Sequence, residues 1–196
     1  LPLVPEKPDE LKKQTERFEQ LGQVSAAQEL ILQDLALRRE PSEFVFPPLR
    51  TVKEIQQEMT AEQLVLAYTT SDRYVLGFAI AKDKFSAWQI ESPAAVLKQI
   101  ADLLKQIGLA DRKPGLDPAA LKDETWKATA ADLLQKLTNN ANSNAWDMYR
   151  ELILVPDGPL WYVPFEALQV PGPAGAAPLI SKVRIRYLPT AGLVTM

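Results

Sequence analysis

A chain of 196 residues with 46% hydrophobic content has room for one sizeable packed domain and an appendage. Its formal charge of −3 and pI near 5.2 argue against a general nucleic-acid or membrane-surface binder, because either partner selects a basic face. The absence of every cysteine and histidine excludes disulfides, thiolate nucleophiles, zinc sites with nitrogen or sulfur ligands, and all Ser-His or Cys-His mechanisms.

Residues 1–8 carry Pro2, Pro5 and Pro8 and read as an extended lead-in. With leucine first and no signal-peptide pattern, the N-terminus is expected to be a processed or designed boundary. Asp9 and Glu10 suit a helix start, and Leu11, Thr15, Phe18 and Leu21 recur at helical spacing. Gly22 is expected to break that helix, and Ser25 to open a second one carrying Leu30, Ile31, Leu35 and Leu37. Two such helices are either the last hairpin of a repeat array or a plain helical extension. Without a second copy of the unit, the plain extension is the expectation.

Pro41, Pro47 and Pro48 around Phe44-Val45-Phe46 mark a linker over 41–50, and Thr51 begins a new unit. Val52, Ile55, Gln56 and Met59 predict a turn or two of helix. Leu64 to Tyr68, Arg73 to Ala81 and Phe85 to Ile90 predict three strands, joined by polar turns at Ser71-Asp72 and Lys82-Asp83. In the middle strand Tyr74, Leu76, Phe78 and Ile80 share one face. Together the three form an antiparallel meander.

The next helix is framed by Ser92 as N-cap, Pro93 at the first position and Gly108 as a left-handed stop. Its apolar stripe is Val96, Leu97, Ile100, Leu103, Leu104 and Ile107. Residues 109–116 read as a loop. Asp117-Pro118 repeats the start signal before a second stripe of Trp126, Ala130, Leu133, Leu134 and Leu137. The asparagine-rich stretch 139–144 reads as a turn, since asparagine tolerates turn dihedrals.

Leu152 to Val155 is a short aliphatic run suited to a strand buried on both faces. Pro156-Asp157-Gly158-Pro159 ends it with turn chemistry, followed by Trp161, Tyr162 and Phe165 between Pro159 and Pro164. Residues 171–175 read as a flexible connection. From Ile180 to Leu188, Val183, Ile185 and Tyr187 alternate with Lys182, Arg184 and Arg186, predicting a half-exposed strand near a sheet edge. The element order predicts a mixed α/β sandwich, with α+β as the alternative, in which helices cover a sheet. That sheet is expected to be incomplete, with its continuation downstream.

No residue is singled out as catalytic, cofactor-binding or metal-ligating. Single glycines leave no dinucleotide or phosphate loop, and neither Gly-x-Ser-x-Gly nor Ser-x-x-Lys occurs. No apolar run reaches the ~18–20 residues of a membrane-spanning helix. A cytoplasmic location is therefore only the default expectation.

The stretch Leu152 to Leu168, LILVPDGPLWYVPFEAL, resembles the signature in the middle of CHAT domains, caspase-like peptidase domains commonly found behind tetratricopeptide repeats. Val52 to Met59, Gln63 to Thr69 and Arg73 to Ile80 resemble the entry segment and first two strands of that family. Arg186-Tyr187-Leu188-Pro189-Thr190 is similar to its tyrosine-leucine-proline-serine segment, with threonine for serine. The resemblance spans about 52–190 and is specific at 152–168.

The resemblance implies an organisation: a helical lead-in over 1–48, where a repeat region hands over, then the N-terminal half of a caspase-like domain over 49–196. That half is pseudo-peptidase in character, and the family's His and Cys lie beyond it. The resemblance implies Pro156, Asp157, Gly158, Pro159, Trp161, Tyr162, Pro164 and Phe165 as structural signature residues. Trp161, Tyr162, Arg184 and Arg186 are candidate interface residues. Against those roles, large aromatics beside a turn also suit a core, the arginines also suit a solvated strand face, and Asp157 suits the turn itself. The implied partners are proteins: the missing C-terminal catalytic half, the upstream repeat region, or a second copy. No cofactor, nucleic acid or membrane is implied. A stand-alone interaction or scaffold module derived from the same fold is the alternative.

Overall fold

A computed structural model describes residues 7–37, 49–108, 124–141, 143–172 and 175–194. The chain divides into two compact units, Leu1–Leu49 and Arg50–Met196.

Among its described residues the first unit forms one helix, α1 (Pro8–Leu37). The expected break at Gly22 does not occur. Gly22 sits inside the helix with nothing near the position of a Cβ. A single glycine costs only about 1 kcal/mol relative to alanine, and its flanks are good helix formers. No hairpin forms within α1, and Leu11, Phe18, Leu21, Val24, Leu30 and Ile31 are all exposed.

The second unit opens with α2 (Val52–Glu58). Thr51 closes a capping box on it: the Thr51 hydroxyl accepts the Glu54 N–H at 3.3 Å, and the Glu54 carboxylate accepts the Thr51 N–H at 2.6 Å. The bond from the Thr51 N–H, followed by that from its hydroxyl, lowers the Glu54 pKa from its ordinary value.

Three strands follow, β1 (Gln63–Thr70), β2 (Val75–Ala81) and β3 (Phe85–Gln89), paired as the expected antiparallel meander. The middle strand starts at Val75, not Arg73, because Ser71 bonds the Tyr74 backbone within a turn. Leu76, Phe78 and Ile80 do share a face, but only Ile80 among them is fully buried. Helix α3 (Pro93–Gln106) carries the predicted devices: the Ser92 hydroxyl accepts the Ala95 N–H, Pro93 is at the first position, and Gly108 adopts φ +76°. The predicted start at Asp117-Pro118 lies outside the described residues. Helix α4 is described from Trp126 to Leu137. Asn139 and Asn140 end it at φ 53° and 58°, the left-handed geometry asparagine tolerates.

Strand β4 (Glu151–Val155) is buried along its whole length. It lies between β1 and β7 (Arg184–Tyr187), parallel to both, and the sheet order is β3-β2-β1-β4-β7. The last strand is shorter than the predicted 180–188, because Leu179–Ser181 forms a 3-10 turn. Gln169–Val170 (β5) and Ala177–Pro178 (β6), on either side of the expected 171–175 connection, pair as a small second sheet that the sequence reading did not include. The main sheet is mixed and helices cover it, so the fold is an α/β sandwich.

Side-chain alternation assigns the two layers. Val65, Ile80, Ile153 and Val155 pack with Ile55 and Met59 around α2, and with Val194 near the end of the chain. Leu64, Leu66, Tyr68, Leu152 and Leu154 project to the opposite face. There Tyr68 reaches α4, donating its hydroxyl to the Leu137 carbonyl at 3.1 Å.

Candidate functional site

Residues 156–168 follow the carboxyl end of β4, beside that of β1. Val155 runs into Pro156, and the Asp157 carboxylate accepts the N–H of Thr70, the last residue of β1, at 2.6 Å. Gly158 follows at φ +53°. A Cβ there would lie 3.1 Å from the Thr70 hydroxyl, so both backbone conformation and space favour glycine. Asp157 is thus the tie between two strand ends, which is the turn role.

Two 3-10 turns, Gly158–Tyr162 and Phe165–Ala167, then sort the aromatics. Leu160, Val163, Phe165 and Leu168 are buried. Trp161 and Tyr162 are not: they are 50% and 58% exposed. The core reading therefore holds for Phe165 and fails for Trp161 and Tyr162. A 3-10 turn of about three residues per turn sends neighbouring side chains to different sides, and Leu160 takes the inward place.

Trp161 stacks on Tyr187 of β7 with ring centroids 6.4 Å apart, and Tyr187 meets Phe165 edge-on at 6.4 Å. Phe165 in turn contacts Tyr68 at 6.2 Å. The Tyr187 hydroxyl donates to Glu166 at 3.1 Å. Burial first, and the Glu166 charge second, push the Tyr187 phenol well above its ordinary range.

Arg184 and Arg186 lie on the other face of β7, since alternate residues along a strand point opposite ways. Both converge on Glu151 of β4: Arg184 donates to its Oε1 at 3.1 Å, and the Arg186 Nε lies 3.5 Å from the same oxygen. Gln63 donates to Glu151 Oε2 at 2.7 Å, and Arg186 also donates to the Val194 carbonyl. The Glu151 side chain is 11% exposed, whereas that of Arg184 is 77% exposed. Two guanidiniums against one carboxylate leave a local positive excess.

Between these two groups runs the outer edge of β7. Arg184 and Leu188 donate their N–H groups to Arg150 and Leu154 on the β4 side. Parallel pairing uses every second residue, so the N–H and C=O groups of Ile185 and Tyr187 point away from β4. The four candidate interface residues are not one patch. Trp161 and the arginines flank β7 from opposite faces, and Tyr162 is exposed one residue beyond the stack. Glu151, Glu166 and Tyr187 complete the site, and sequence reading missed them as site residues. A glutamate opening an aliphatic run was the one available signal.

Among the described residues no group of three or more Asp, Glu, His or Cys side chains is placed to hold a metal ion. No described helix is long and apolar enough to cross a membrane. The architecture defines the chain at the level of class, an α/β sandwich with a parallel β1-β4-β7 core. No protein-family model matches the sequence, and no curated protein matches it significantly.

Proposed function

We propose that this chain is the non-catalytic N-terminal part of a CHAT-type caspase-like domain, supporting or regulating a catalytic half encoded beyond it. The observation that carries the reading is the edge of β7. Its outward N–H and C=O groups lie between an exposed Trp161–Tyr187 stack and the Arg184–Glu151–Arg186 cluster. A neighbouring half-sheet would extend such an edge, gaining main-chain hydrogen bonds from it and specificity from its flanks. The resemblance of residues 152–168 to the family signature agrees, because that stretch builds β4, its turn and Trp161.

In the parent protein the reaction would be thiolate attack on a peptide carbonyl, with a histidine activating the cysteine. Neither residue type occurs in this chain, so its contribution is shape and support. The reading frame past Met196 tests the assignment directly: histidine-glycine and cysteine segments should follow in that order. Their absence sinks it. Where they are present, the purified chain should bind the downstream segment. Ile185→Pro, which removes an outward N–H without touching the β4 ladder, should weaken that binding by about tenfold or more, as should Trp161→Ala.

A second reading, a stand-alone interaction or scaffold module of the same fold, is favoured by the opposite sheet edge, β3. A parent frame that ends near Met196, together with self-association of the chain, would select it.

A further inference from the structure

Among the described residues, the second edge of the sheet without a neighbouring strand is β3, and its sequence, Phe-Ser-Ala-Trp-Gln, contains no charge and no proline. Natural edge strands are usually blunted by lysine, proline, a bulge or a cover. Phe85, Ser86, Ala87 and Gln89 are exposed. Phe85 is 50% exposed and stacks on Phe78 at 6.5 Å, which leaves an apolar strip beside the edge.

The direction of the backbone groups follows from the β2–β3 ladder. Ala81 donates to the Lys84 carbonyl at one end, and Ile90 donates to the Val75 carbonyl at the other. With the register Ile80↔Phe85, Phe78↔Ala87 and Leu76↔Gln89, hydrogen-bonded and non-bonded pairs alternate. The N–H and C=O groups of Ser86 and Trp88 therefore face β2. Those of Phe85, Ala87 and Gln89 face outward.

We infer that β3 is a self-association edge, pairing antiparallel with β3 of a second copy about a twofold axis at Ala87. In that register Ala87 exchanges both hydrogen bonds with Ala87 of the second copy, and Phe85 and Gln89 exchange theirs reciprocally. Every outward group in both strands is then satisfied. Ser86 faces Trp88 and Phe85 faces Gln89, so no two bulky side chains collide and no charges oppose within the strand.

A second copy fits this edge better than the edge of β7. Antiparallel self-pairing of β7 that overlaps most of the strand, centred at Ile185 or Arg186, would bring Arg184 against Arg186 or Arg186 against itself in the second copy, and like charges opposed across strands are unfavourable. The two edges thus differ in kind: β3 is self-complementary, and β7 requires a different partner. This inference does not depend on the family proposed above.

Sedimentation velocity of the intact chain tests it. The mass should rise from 21.8 kDa towards twice that value with increasing concentration. Ala87→Lys opposes two ammonium groups at the axis, and Ala87→Pro removes an outward N–H that β2 does not use. Each should weaken association by at least about tenfold and leave the near-UV circular dichroism of the monomer unchanged. In the unaltered chain, the amides of Phe85, Ala87 and Gln89 should exchange slowly when concentrated and rapidly when diluted. This readout holds even if a variant fails to fold. A monomer at every concentration overturns the inference. So does a dimer that survives both substitutions, or one in which those three amides stay unprotected.

Discussion

The carboxylate of Asp157 accepts the backbone N–H of Thr70 at 2.6 Å, joining the turn after β4 to the end of β1 across 87 positions of sequence. A charged acceptor on a partly buried N–H contributes about 1.5–3 kcal/mol. Asp157→Ala should destabilise the fold by that amount. Gly158→Ala should cost about 1–2 kcal/mol, because a Cβ is disfavoured at positive φ and crowds Thr70. In urea titrations both should lower the midpoint and leave the slope unchanged.

Tyr68 is fully buried by its surroundings, and that burial pushes its phenol pKa far above the ordinary 10.0. The folded chain then holds a proton that the unfolded chain releases on the alkaline side. By linkage, the stability this group provides is complete below about pH 10 and falls as pH rises further. Tyr68→Phe should remove that alkaline loss. At neutral pH it should cost about 1 kcal/mol through the lost bond to Leu137. Urea midpoints at neutral and alkaline pH will show the crossover, and equal losses at both would contradict it.

Gly77 in β2 lies beneath the indole of Trp88. A Cβ there would sit 2.5 Å from the Trp88 ring. Gly77→Ala should displace the indole and cost about 1–3 kcal/mol, the usual range for overpacking. A shift in tryptophan emission should accompany the loss of stability. An unshifted spectrum with unchanged stability would mean the ring moves freely.

Gly22 in α1 has open space around it and helical backbone on both sides. Gly22→Ala should stabilise the helix locally by about 1 kcal/mol, since alanine loses less backbone freedom on folding. Slower amide exchange across α1, with unchanged exchange in β1 and β4, is the expected signature. Faster exchange in α1 would show that the glycine is required.

Much of the local structure was legible in particular residues. Ser92, Pro93 and Gly108 marked both ends of α3, because a cap, a first-turn proline and a left-handed stop each act within four or five positions. Leu152 to Val155 announced a doubly covered strand through four consecutive aliphatics. Gly22 misled for a related reason: its intrinsic cost is real but small against the helix-forming residues around it. The sorting of Trp161 and Tyr162 from Phe165 was not legible, since all three carry the same apolar preference. Which of them turns inward depended on the phase of a 3-10 turn.

The sequence by itself determined the type and period of most elements, both ends of α3, the aromatic and proline punctuation after β4, and the absence of any histidine or cysteine chemistry. Those are properties of residue type and short spacing. Only the tertiary structure decided that β1, β4 and β7 lie side by side in parallel, that Glu151 gathers Arg184 and Arg186, and that β3 and β7 are left as two edges of opposite character. Period-two alternation says which residues share a face. It does not say which strand comes to lie beside which, because that follows from burying both layers together.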